Sequence, residues 1–305
     1  MIKIPTVLIL GAGASIPYNF PSGLQLVESI LSFVNPRNSY LPEQAKLKQI
    51  GNFTDKDLEE FYSALLHSGC TSIDLFLVCR PKFMKIGKIA IALSLIPFEN
   101  EDNLFYFPFD PTKRPWYVKV LDKIRESPNV FHKNQLSIVT FNYDRSIDHY
   151  LFRSIQNTFD LKDDDCAKLM EAIPIVHVHG KLGKLPWEGT PYRPYSTLSN
   201  SEPDINAAIE QIKIITESEE NSEEFKKARL ILWPAQRIFL LGFGYNDLNL
   251  KRLQFQLIPR GRAFGTTKGI EIKDIEDIKD KWPNIEFAPN QYDIIDFFGK
   301  FINLK

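Results

Sequence analysis

The sequence predicts an α/β protein in which a parallel sheet is flanked by helices and a mainly helical lobe is inserted between the first two strands. Three features point there. Short apolar runs rich in Val, Ile and Phe recur along the chain, several end on a glycine or a polar cluster, and the first two flank a long stretch, 22–135, of helix-like pattern. Runs without polar alternation read as strands buried on both faces, as helices packed over a parallel sheet make them. With 305 residues, 44% of them hydrophobic, the chain can bury a core of that size as one domain spanning 1–305.

The elements follow in order. "PTVLIL" at 5–10 is the first strand. Ser22 with Gln25 forms a capping-box signature that opens a helix over "GLQLVESILSFV". "DLEEFYSALLHSG" and "SIDLFLVCRPKFMKIGKIAIALSLIPFE" continue the helical pattern, and Pro81 breaks the second into two helices. The aromatic segment 104–117 reads as loop packing over the junction of lobe and sheet. Further strands are expected at 136–141, 173–178, 237–241, 262–266 and 284–287. The Pro- and Ser-rich stretch 186–204 reads as a loop, 217–232 as a solvated helix with acids ahead of bases, and 291–303 as a C-terminal helix.

Composition narrows the function classes. Lys plus Arg (37) nearly balances Asp plus Glu (38), so no global field draws in nucleic acid or an acidic membrane. No apolar run approaches the roughly 20 residues of a membrane span, and the N-terminus enters a strand-like segment directly, so a cytosolic protein is expected. Cys70, Cys79 and Cys166 are scattered, which fits reduced thiols better than disulfides, and no structural metal is expected.

Four stretches stand where strands end. Gly11-Ala12-Gly13-Ala14-Ser15 follows the first strand, and glycines there allow backbone amides close to a pyrophosphate. A dehydrogenase fingerprint would carry a third glycine where Ile16 stands, and "IPYNFP" delays the helix to Ser22; a tight turn without ligand is the bland alternative. In "TFNYD", Asn142 offers donor and acceptor and Asp144 an acceptor, outside the carboxyl end of the second strand. Asp144 would equally serve as a helix cap. In "VHVHG", an extended strand would put His177 and His179 on one face, able to reach one cavity, where a neutral imidazole relays a proton. "FLLGFGYNDLNL" repeats strand, glycine turn and helix start, with Asn246 or Asp247 as N-cap.

Together "GAGAS", "FNYD", "HVHG" and "GFGYND", in this order, resemble the sirtuin-like superfamily of NAD-consuming enzymes, whose fold is Rossmann-like. The stretch "SIDLFLVCRPKFMKIGKIAIA" looks like the helical lobe of the bacterial defence branch, whose members destroy NAD during phage infection. The four-cysteine zinc module of protein-deacetylating sirtuins is missing after the H-G motif, as is the arginine of their P-D-F-R stretch, replaced here by "PYNF". Both departures argue against a groove for acylated peptides.

The resemblance implies roles. Asn142 would orient the ribose or the attacking water, His179 would act as base with His177 its rival, and Asp144 would hold the nicotinamide carboxamide. The amides of Gly11, Ala12, Gly13, Ala14 and Ser15 would carry the pyrophosphate, with Gly242 near the adenosine half and Thr140, Phe243 and Asp247 completing the nucleotide contacts. The implied function is an NAD glycohydrolase yielding nicotinamide and ADP-ribose, with NAD as substrate, in antiviral defence by NAD depletion. The alternative is a non-catalytic sensor of NAD or ADP-ribose. Control is expected from homo-oligomerisation or a separately encoded hexameric helicase-type ATPase, with no membrane or direct nucleic-acid partner.

Overall fold

The computed structural model describes residues 1–106, 115–214 and 222–301. Six short strands, β1 (Thr6–Leu10), β2 (Leu136–Thr140), β3 (Ile175–His177), β4 (Arg237–Leu241), β5 (Ala263–Gly265) and β6 (Ile285–Phe287), pair in parallel in the order β3-β2-β1-β4-β5-β6. This is a Rossmann-like α/β fold. Thr6 aligns with Leu136 on one side and with Arg237 on the other, so β1 is central and all three strands end level. Because successive connections leave β1 in opposite directions, the order reverses between β1 and β4. A crevice opens at such a switch point, outside the carboxyl ends of the strands.

Side-chain alternation assigns the two faces. Leu8, Leu10, Ile138, Phe239 and Leu241 join one core; Val7, Ile9, Val139, Ile238 and Leu240 join another with the helix Glu223–Leu232. The first core continues without a break into the inserted lobe. There α1 (Gly23–Val34) starts with both bonds of the Ser22/Gln25 capping box, and α2 (Pro42–Gly51) and α3 (Asp55–Ser68) follow. A turn at Pro81 separates α4 (Ile73–Cys79) from α5 (Met84–Leu95), as the proline predicts. No described residue between Gly11 and Gln135 lies in a strand.

Two expectations need correction. The strand at 173–178 spans only Ile175–His177, because the chain turns at Val178 and His179. In place of a regular helix over 291–303, one turn at Ile294–Asp296 leads into a π turn at Phe297–Phe301. The wider turn lets neighbouring aromatics reach the core together: Phe297 meets Phe239, Phe298 meets Trp116 and Phe239, and Phe301 meets Phe264. Residues 302 and 303, part of the aromatic segment 104–117 and the start of 217–232 lie outside the described residues.

A buried ion cluster joins the lobe to the sheet. Glu99, at the end of α5's continuation, receives Arg145 through Nε (2.8 Å) and Nη2 (2.5 Å) and also pairs with Arg193. All three side chains are fully buried. The remaining guanidinium hydrogens go to carbonyls of Leu182, Lys184, Arg193, Pro194 and Ser199, so the loop after β3 is tied to the residue that follows Asp144. No single helix among the described residues is long and apolar enough to cross a membrane.

Candidate active site

The two glycine turns meet at the switch point. A Cβ on Gly11 would lie 2.6 Å from Gly242 O, one on Gly13 2.8 Å from Gly242 Cα, and one on Gly242 2.2 Å from Ala14 N. Real Cβ atoms do not approach backbone so closely, so the mutual contact of the turns requires the glycines. Gly242 also has φ of 55°, the left-handed region. Gly242→Ala is expected to lower stability by more than about 2 kcal/mol in urea unfolding, clash adding to strain; an unchanged midpoint would refute the packing.

The same contact uses up amides expected for a pyrophosphate. Gly11 N–H donates to Leu241 O, Gly13 N–H to Gly242 O, Ala14 N–H to Gly11 O and Ser15 N–H to Ala12 O. Ala12 N–H is the exception among the five. The expected five-amide cradle is therefore narrowed to one amide, because β4 and the turn after it take two of the amides and the turn's own carbonyls take two more.

Beyond β2, Asn142 is tied to that turn. Its Nδ2 donates to Gly11 O and to Ser15 Oγ, both at 3.0 Å, while Thr140 Oγ1 accepts its backbone N–H at 3.1 Å. Ser15 Oγ passes its own hydrogen to Asp144 Oδ2 at 2.8 Å. Asp144 Oδ1 accepts from the backbone N–H and the hydroxyl of Ser146, so the carboxylate also caps the helix Ser146–Phe159. Burial raises the Asp144 pKa, against the lowering effect of the Ser146 and Ser15 bonds.

The two histidines diverge, a correction to their sharing one face. His177, still in β3, has Nδ1 3.1 Å from Asn142 O and Nε2 3.1 Å from Asp148 Oδ2. Its ring thus lies between two acceptors and braces the Asn142 backbone. Burial alone would raise the pKa of Asp148, but Lys181 and His177 outweigh it and hold the carboxyl well below the ordinary range. His179 lies past the turn against Phe141, ring centres 5.5 Å apart, and its buried Nδ1 has no partner among the described residues. Burial lowers the His179 pKa, so the ring is neutral near pH 7.

Three cavities surround this framework. The largest, about 380 Å³, is mostly apolar and lies on the Gly13 and Gly242 side, between Trp116, Thr266 and Ile294. The others, about 90 and 130 Å³, carry the titratable groups. The smaller holds Ala12, Ser15, Asn142 and Asp144; the other holds His179, Asn246, Asn249 and Arg252; Asp74 and Phe141 line both. Phe243 is buried edge-on to Phe141 at 5.0 Å and supports the wall.

Asp247 does not join them. Asn246 is the N-cap, and Asp247 accepts from Trp282 Nε1 at 3.0 Å and pairs with Lys251. Sequence reasoning passed over Asp74, Arg252 and Trp116. Asp74 sits in the quoted "SIDLF", whose likeness to a helical lobe was its one signal. Among the described residues no group of three or more His, Cys, Asp or Glu could hold a metal ion. No family model and no curated protein matches the chain.

Proposed function

We infer that the protein is an NAD glycohydrolase that splits NAD into nicotinamide and ADP-ribose. The observation that carries this reading is the buried, neutral His179 with an unpartnered ring nitrogen, facing a chamber that adjoins the Asn142–Asp144 cradle across Asp74 and Phe141. The apolar cavity beyond Gly242 would take the adenine. The pyrophosphate would cross the turn at the Ala12 amide, and the nicotinamide carboxamide would meet Asp144 in the smallest chamber. Cleavage of the N-glycosidic bond develops positive charge on the ribose, so little nucleophilic push is needed, and an imidazole base suffices to take the proton of the attacking water.

Unchecked hydrolysis would drain the cell of NAD, so activity calls for control. The family resemblance implies antiviral defence, with control by self-assembly or by a hexameric helicase-type ATPase. A second reading, an NAD or ADP-ribose sensor, draws on Asn142, whose Nδ2 donates to Gly11 and Ser15 and so serves the framework, leaving Oδ1 alone to meet a ligand or water.

The deciding experiment measures nicotinamide release from NAD by purified protein, dilute and concentrated, beside Asn142→Ala. Release by wild type and a loss of roughly 10²–10³-fold in the variant are expected. NAD binding with no turnover at any concentration would favour the sensor.

A further inference from the structure

Two carboxylates, Asp74 and Asp144, line the two smaller chambers, and Asp148 lies outside them; Asp144 and Asp148 are already engaged. Asp144 serves Ser15 and Ser146, and Asp148 lies under His177 and Lys181. Asp74 differs from both. It stands in the first turn of α4, half-buried, accepts from the Tyr143 hydroxyl through Oδ1, and makes no ion pair among the described residues. Arg252 lines the same chamber, but no ion pair joins it to Asp74 among the described residues, so the carboxylate keeps its charge for whatever enters the cleft.

Its position supplies the missing partner. Among the described residues only Asp74 and Phe141 line both chambers, so a ligand laid from the Asn142 side to the His179 side passes between a carboxylate and an aromatic ring. With nicotinamide in the Asn142 chamber and the attacking water at His179, the scissile C1′–N bond of the hydrolysis inferred above falls at their junction. Charge develops at that point and nowhere else.

We propose that Asp74 is a catalytic residue, the carboxylate that faces the ribose C1′ and stabilises its positive charge as nicotinamide leaves. This rests on the hydrolase reading. The C1′–N bond breaks and its electron pair goes to the pyridinium ring, leaving neutral nicotinamide. A water oxygen bonds to C1′, and its proton passes to His179 and then to solvent. Asp74 forms no bond and moves no proton; it is a fixed negative charge, kept in place by Tyr143 and brought to the sheet by the lobe. Cleavage competence thus depends on the seating of α4.

Asp74→Asn removes the charge and keeps an acceptor for Tyr143. The expected result is a fall in kcat of about 10²–10³-fold, with KM within roughly threefold and the thermal midpoint unmoved. Tyr143→Phe removes the hydrogen bond and keeps the charge, and should lower kcat by no more than about tenfold. Wild-type turnover with Asp74→Asn within threefold of it overturns the assignment and leaves the hydrolase standing. Equal losses in both variants with NAD binding abolished also overturn it, since the carboxylate would then merely orient Tyr143. A wild type silent in every assembly state removes both readings. If Asp74→Asn does not fold, Asp74→Ala with added formate decides: restored turnover supports the role, and none refutes it.

Discussion

His179→Ala is expected to reduce nicotinamide release from NAD by about 10²–10⁴-fold, the contribution of a positioned general base, while NAD still binds. The ring is packed by Phe141 and Phe225 and donates to nothing among the described residues through Nδ1, so its removal leaves a small void and strips no hydrogen bond from the framework. The pH dependence carries a sign. Burial depresses the pKa below the 6.5 of a free imidazole, and the base works unprotonated. kcat/KM should therefore be flat through neutral pH and fall only as acid protonates the ring, at a pH below 6.5. An acid limb with its midpoint above pH 7, or a His179→Ala enzyme within threefold of wild type, would remove His179 from the role. His177→Ala gives a contrasting result: it should lose activity together with stability, because His177 braces Asn142 from behind and bonds Asp148.

Glu99→Gln is expected to cost about 3–5 kcal/mol of stability, the penalty of leaving a buried charge without its partner. The neutral amide would face two fully buried guanidinium groups whose remaining hydrogens already point at carbonyls. Since Arg145 follows Asp144 directly, the damage should reach the cradle, and NAD affinity should fall with the unfolding midpoint. Urea unfolding of Glu99→Gln beside the double variant with Arg193→Met tests the electrostatic account: removing one cation should restore part of the loss. A single variant within 1 kcal/mol of wild type, or a double variant worse than the single, would show that the cluster is held by packing alone.

What the sequence disclosed divides by the range of the cause. The presence and order of the strands, the Ser22 capping box and the Pro81 break each follow from residues within a few positions, and all but the length of the third strand stand close to the reading. The fate of the turn amides does not, because Gly11 and Gly13 are satisfied by residues of β4 that only the sheet order brings near. Asp74 was invisible for the same reason: nothing in "SIDLF" says that α4 lies over the carboxyl ends of the strands. The histidines diverge for a local reason: extended chain ends at His177, two residues short of His179. Asp247 shows the limit of a motif, since its neighbour Asn246 takes the cap and Trp282, far along the chain, takes its side chain.

The central position of β1 also sets the order of assembly. Its neighbours on the two sides begin at Leu136 and Arg237, so the strand made first waits for partners made much later. At ribosomal rates of about 5–20 residues per second, the stretch from Gly11 to Gly242 takes on the order of 10–50 s to emerge. In that interval the lobe helices, rich in short-range contacts, can form, whereas a bare apolar strand remains exposed to aggregation. The Gly11 and Gly242 turns therefore meet late, and a nascent chain holds no completed switch-point crevice until β4 has left the ribosome.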